Sequence, residues 1–127
     1  MSEVAGPPAG QAAAGYRRID LAGVEDVPPG TMRLVETEEG DLVLVVNLDG
    51  TFHAVQGICS HQYSELDRGF VTGDSITCAL HLSRFDLLIG EALDPPAELP
   101  LAVYPVAVEG GRVLIEVPEG PLAVERQ

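Results

Sequence analysis

Tryptophan and lysine are absent from this 127-residue chain, and cysteine (two), histidine (three), phenylalanine (three) and tyrosine (three) are scarce. With so few rings, a core must be built from Val, Leu and Ile. Ten prolines and fourteen glycines cut that material into short runs, the composition of an all-β chain with many turns. Positive charge is also short: seven arginines face twenty acidic residues, a formal net charge of −13. A surface of that sign repels a phosphate backbone or an anionic membrane. Neither nucleic acid nor membrane is therefore expected as a partner, whereas a positively patched protein is. The opening MSEVAGPPAGQAAAG has no cationic start followed by an apolar run, so no signal peptide or membrane anchor is expected, and the reading is a cytoplasmic protein. In that reducing compartment a structural disulfide is disfavoured, which leaves metal binding or redox chemistry as the use for two cysteines.

With 46% of its residues apolar, the chain suits one domain with a modest core. Residues 1–15 are rich in Ala, Gly and Pro without periodicity, which reads as a flexible N-terminal tail. Strand signals recur from Tyr16 onward. YRRID leads into LAGVED, room for one helical turn that Pro28 and Pro29 must end because they supply no amide hydrogens. TMRLVE and LVLVVNL follow, joined by TEEGD. LVLVVNL then passes to TFHAVQ through Asp49-Gly50, a pair suited to a hairpin turn in which both positions need positive φ. RFDLL, a turn at Ile89-Gly90 and the proline-rich LDPPAELP come next. A last hairpin of LAVYPVAV with RVLIEV turns at Glu109-Gly110-Gly111. No repeat or second domain is visible.

The few soft ligands are not scattered. Both cysteines and two of the three histidines stand at the two ends of CSHQYSELDRGFVTGDSITCALH, as Cys59-x-His61 and Cys78-x-x-His81 with sixteen residues between His61 and Cys78. Each pair falls where a strand gives way to a loop, and loops on a rigid frame are where binding residues concentrate. If the two loops face each other, two sulfurs can hold one metal and two imidazoles another, bridged by inorganic sulfide. That is a [2Fe-2S] centre with two His replacing two Cys on one iron. Two other uses stay open. Cys2His2 is a common zinc set and would make a zinc-stabilised interaction module, although zinc-finger spacings accompany a helix and strands flank both pairs here. A thiol/disulfide switch between Cys59 and Cys78 leaves the two histidines without a purpose.

The pattern C-x-H, sixteen residues, C-x-x-H resembles the Rieske ferredoxins, small electron carriers that serve ring-hydroxylating oxygenases. GTFHAVQGICSH is similar to that family's approach to its first ligand loop. Leu66, Gly69, Phe70 and Gly73-Asp74 fall where its members carry a Leu, a Gly-aromatic pair and a Gly-Asp turn. HLSRFDLLIGEALDPPAELPLAVYPVAVEGGRVLIEV resembles the segment after the second loop. The resemblance spans 16–117, with the cluster-binding part at about 57–96 and a C-terminal tail at 118–127. It implies an all-β, Rieske-type fold of antiparallel β-sheets with a small cluster-binding subdomain formed by two loops. It also implies one [2Fe-2S] cluster held by Cys59, His61, Cys78 and His81. The implied role is a monomeric one-electron carrier that docks transiently with a flavin-dependent ferredoxin reductase and a terminal non-haem iron oxygenase. Gln62, Tyr63, Ser64 and Leu80 supply none of the extra cysteines of the respiratory branch. The small subunit of nitrite reductase has a similar fold, but that group commonly lacks the four ligands present here. Ser83 stands where many such ferredoxins have Gly, and its hydroxyl is able to donate to a cluster sulfur and raise the potential.

Catalysis by the chain itself is not expected. A mononuclear iron oxygenase needs two further histidines and a carboxylate, and only His53 is left once the four ligands are assigned. No Gly-rich dinucleotide fingerprint is present to make the chain its own reductase. His53 alternates with Phe52 and Ala54 in a strand and is expected to point outward. Gln62, Tyr63 and Leu82 flank ligands in exposed loops, suited to partner contact or to packing over the cluster. Pro95-Pro96 is expected to form a lid on the ligand loops, and Glu65, Asp67 and Asp74 to orient docking.

Overall fold

The structure, a computed structural model, describes residues 12–126. Most of the tail expected at 1–15 lies outside the described residues. From Tyr16 the chain forms β1 (Tyr16–Gly23), β2 (Met32–Glu36), β3 (Leu42–Leu48), β4 (Thr51–Gln56) and β5 (Phe70–Thr72). It continues through β6 (Ser75–Thr77), β7 (Arg84–Asp86), β8 (Val103–Tyr104), β9 (Val106–Glu109) and β10 (Arg112–Pro118). The helical segments among the described residues are two 3-10 turns, Val24–Asp26 and Leu66–Arg68. The chain is therefore all-β, as its composition implies, and no described helix is long and apolar enough to cross a membrane. LAGVED yields the one turn expected, Val24–Asp26, in 3-10 form, while its first residues extend β1, where Ala22 and Gly23 pair with Val113 and Arg112.

Three antiparallel sheets result, ordered β1-β10-β9, β2-β3-β4-β8 and β5-β6-β7. The uninterrupted apolar run of β3 explains their arrangement, since a strand that is apolar at every position must be covered on both faces. Val43 and Val45, with Ala54 of β4, pack against Val113, Ile115 and Val117 of β10. Leu44 and Val46, with Val55, pack against Leu66, Ile76, Phe85 and Leu87 of the small third sheet and its loops. Each such fully buried side chain contributes about 1.5–3 kcal/mol. The two cores weld the small sheet and its loops onto the larger frame.

Asp49 and Gly50 both take positive φ, 54° and 96°, as a tight hairpin between β3 and β4 requires. LAVYPVAV, by contrast, does not form one hairpin arm. Pro105 has no N–H with which to continue a ladder, and the chain changes sheet there: β8 pairs with β4 through Ala54 and Tyr104, while β9 pairs with β10. The segment read as a C-terminal tail, 118–127, is tied down where it is described. Leu122 is buried in the core between β3 and β10, and the Tyr104 hydroxyl donates to the Ala123 carbonyl.

Candidate metal centre

The first ligand loop leaves β4 past Gly57, whose N–H donates to the Leu42 carbonyl (2.8 Å). A Cβ there would lie 3.0 Å from the Leu42 backbone. The loop then closes on itself, with the Cys59 N–H donated to the Ser64 carbonyl (2.9 Å) and the Leu66 N–H to the Gly57 carbonyl (2.8 Å). The second loop leaves β6 beneath Gly69, where a Cβ would fall 1.7 Å from the Thr77 carbonyl oxygen. Its closure is similar: Cys78 N–H to Ser83 carbonyl (2.8 Å) and Leu82 N–H to Cys78 carbonyl (2.9 Å), with Leu82 at φ 60°.

These closures bring all four candidate ligands to one tip. Cys59 and Cys78 are free, buried thiols in the same core cluster as Ile76 and Phe85. Burial pushes the Cys59 thiol up. The backbone N–H groups of His61 and Gln62 reach its sulfur and pull the other way, and hydrogen bonding to Cys78 adds to the rise. The imidazoles of His61 and His81 meet edge to face, their centroids 5.3 Å apart at 70°. His61 Nδ1 is buried and without a hydrogen-bond partner, an arrangement that is costly for a polar atom unless something else binds it. His81 Nε2–H donates to Gln62 Oε1 (3.1 Å), which leaves its Nδ1 as the ring's lone-pair nitrogen. Among the described residues no three His, Cys, Asp or Glu side chains converge on a single ion position. Two buried thiols and two adjoining imidazoles are a donor set that suits two irons with two protein ligands each.

The remaining candidates divide. Ser83 is buried, and its Oγ accepts the Ala97 N–H (3.4 Å), tying the proline loop to the second ligand loop. Gln62 is exposed and bonded to His81, while Tyr63 and Leu82 are 76% and 64% exposed. The proline loop does cover this region: Ala97 and Leu101 are buried against the cysteines' cluster, and Ser60 Oγ donates to the Leu99 carbonyl (2.7 Å). His53 pairs with Val46 in the middle of β4 and belongs to neither loop; it is half-buried rather than turned outward, because its face of the sheet is the one that carries the third sheet. Three contributors escaped the sequence reading: Ser60, the exposed apolar Leu80, and Gln56, whose buried amide makes four hydrogen bonds. Leu80 was legible as an apolar residue between two ligands, but nothing in the sequence distinguished Gln56 from an ordinary strand residue.

Two loops on an all-β frame, pairing thiols within and imidazoles without, define a small iron-sulfur electron-transfer protein. Residues 17–105 match the family profile of the Rieske [2Fe-2S] domain, and the chain belongs to that family. The 3-phenylpropionate/cinnamic acid dioxygenase ferredoxin subunit of Escherichia coli (strain K12) is 38% identical over 103 residues, 80% of this chain and 95% of that protein. The ferredoxin of Sphingomonas yanoikuyae B1 has the same fold with a TM-score of 0.76 and 31% identity, covering 80% of this chain and 100% of that one. A chain in a complex of reduced oxygenase and oxidized ferredoxin in carbazole 1,9a-dioxygenase aligns with a TM-score of 0.74 and 28% identity, covering 84% of this chain and 97% of that one. The protein is thus a Rieske-type ferredoxin, an electron carrier with one [2Fe-2S] cluster and not itself a catalyst.

Proposed function

We propose that Cys59 and Cys78 hold one iron of the cluster and His61 and His81 the other. We further propose that the chain, as a cytoplasmic monomer, carries single electrons from a flavin-dependent reductase to the terminal non-haem iron component of a ring-hydroxylating oxygenase. The observation that carries the ligand assignment is the orphaned, buried Nδ1 of His61, on a ring that meets the His81 ring edge to face, together with two buried free thiols in one core cluster. The cluster supplies reversible one-electron redox chemistry when bound, and the chain supplies its setting. The backbone N–H groups directed at the Cys59 sulfur favour accumulation of negative charge there. Exposed His81 keeps one ligand edge at the surface, and Tyr63, Leu80 and Leu82 give a partner an apolar collar around it. A small collar of this kind suits the weak, short-lived contacts of electron-transfer proteins. The oxygenase as acceptor rests on the roles of the relatives.

Purified protein is expected to contain about two irons and two acid-labile sulfides per chain and to be red-brown. Cys59→Ser and Cys78→Ser should each abolish the visible spectrum. Stoichiometric zinc without sulfide, in protein made with ample iron, would overturn the assignment. Restored turnover of an oxygenase on adding the reduced chain tests the second half of the proposal.

A further inference from the structure

The Gln56 side chain is 1% exposed and sits at the junction of three segments distant in sequence. Its Nε2 donates to the carbonyl of Ile58 (2.7 Å) and to that of Glu125 (2.7 Å). Its Oε1 accepts from the N–H of Ala102 (2.8 Å) and from that of Glu125 (2.8 Å). The amide is therefore fully used: two donors to two carbonyls, one oxygen to two N–H groups. One of those bonds fixes the Ile58 carbonyl, and the peptide that begins at Ile58 carries the Cys59 N–H into its bond with Ser64. Two others bind the C-terminal segment, which lies outside the part of the chain matching the family profile. Val124, Glu125 and Arg126 line a cavity of about 330 Å³ shared with Cys59, His61 and Tyr63. That segment stands beside the first ligand loop.

We propose that Gln56 is a positioning residue for the first ligand loop and that residues 124–126 form a strap which locks it. Through the Ile58 peptide, the strap holds the orientation from which the His61 and Gln62 N–H groups reach the Cys59 sulfur. The proposal rests on Cys59 and His61 being cluster ligands. Without the strap, two of the four bonds to Gln56 pass to water. The amide is then free to turn away from Ile58, and the first loop explores positions in which the N–H groups miss the sulfur. A fully bonded buried amide resists this only as a unit, because each bond alone is worth little net stability while an orphaned group is costly. Two consequences follow for the cluster. It is released faster, and its potential falls, since hydrogen bonds to sulfur stabilise the more negative reduced form.

The test compares the full chain with a truncation ending at Ala123, which keeps buried Leu122 and the Tyr104 hydroxyl's acceptor, and with Gln56→Leu, which removes all four bonds. Val113→Ala, in the core on the other side of β3, serves as a control for general destabilisation. Cluster release to an iron chelator is followed by visible absorbance well below the thermal midpoint, and the potential is measured by redox titration. The truncation is expected to release its cluster about tenfold faster than the full chain, the order expected for losing one or two hydrogen bonds. Gln56→Leu should release it faster still. Both should show a lowered potential, whereas Val113→Ala should show neither change. A truncated protein with unchanged release and unchanged potential overturns the proposal even if its midpoint falls, and so does a Val113→Ala control that behaves like the truncation. If Gln56→Leu fails to fold, the truncation decides alone. Absence of iron and sulfide from the full chain would instead overturn the ligand assignment, and the proposal with it.

Discussion

Loops 59–64 and 78–83 close alike, each with a cysteine N–H donated to a serine carbonyl five residues on, at 2.9 Å and 2.8 Å. What lies around those closures is different. The first loop is held by groups from far along the chain: Leu42 at its base, Leu99 on its Ser60 hydroxyl, and Glu125 through Gln56. The second draws its hydrogen bonds from within 19 residues, Ala97 N–H on Ser83 Oγ and Gln62 on His81 included. Leu82 N–H returns to the Cys78 carbonyl, Phe85 is buried beneath, and Arg84 grips Asp94 through Nε (2.6 Å) and a second guanidinium nitrogen (3.2 Å). The same local turn is thus supported non-locally on one side of the centre and locally on the other. The first loop is tied to the C-terminal segment, whereas the second takes its hydrogen bonds from nearer parts of the chain and rests through Phe85 on the core against β3.

The glycines are where this comparison breaks most readily. Gly69→Ala sets a methyl 1.7 Å from the backbone oxygen of Thr77, next to Cys78. Backbone cannot step aside there, so a loss on the order of 4 kcal/mol or more is expected, read as a collapse of the denaturant midpoint and of cluster content. Gly57→Ala meets the Leu42 backbone at 3.0 Å and the mobile end of Leu34 at 2.6 Å. A cost of about 1–3 kcal/mol, typical of overpacking, is expected. Equal effects would mean that the two loops tolerate displacement alike.

A smaller effect sharpens the contrast from the other side. Leu82 holds φ 60° with its side chain 64% exposed, a backbone state that costs an L-residue about 1–2 kcal/mol. Leu82→Gly removes that strain but adds freedom to the unfolded chain, so stability should rise by no more than about 1 kcal/mol. Affinity for the proposed oxygenase partner should fall at the same time if the exposed leucine belongs to the docking collar. Calorimetry and binding measured on one preparation separate the two. A clear loss of stability would show that the side chain, not the local turn, holds the second loop.

The smallest expected effect concerns protons. Hydrogen bonding from the Arg84 guanidinium holds the Asp94 carboxyl below its usual value. A depressed carboxyl contributes stability that is present above its unfolded value of about 3.9 and is lost as pH falls through the folded one. Asp94→Asn should therefore lower the unfolding midpoint slightly at neutral pH. The difference from the parent chain should stay level down to about pH 4 and shrink below it. Because the pair is exposed the effect is modest, and a difference that grows on acidification would contradict the assigned direction.

That Cys59, His61, Cys78 and His81 gather at one tip was legible because ligand chemistry needs particular residue types at particular spacings, and the chain has almost no other Cys or His to confuse them. The β-strands were legible for a comparable reason, since alternation, apolar runs and Asp49-Gly50 are local signals of local geometry. The break at Pro105 was visible as a residue but not as a change of sheet, because which strand takes β8 is decided by what β4 leaves unpaired.

Residue type and spacing by themselves determined the all-β class and grouped Cys59, His61, Cys78 and His81 into two loops, while one-electron chemistry followed from the resemblance to the Rieske ferredoxins. Only the tertiary structure decided that β3 is buried on both faces, that His61 Nδ1 is left without a partner, and that a buried glutamine joins the C-terminal segment to the first ligand loop. The last of these depends on hydrogen bonds between residues 69 positions apart. A hydrogen bond across that separation leaves no mark on either local sequence, because Gln56 and Glu125 meet only after the sheets have closed the distance between them.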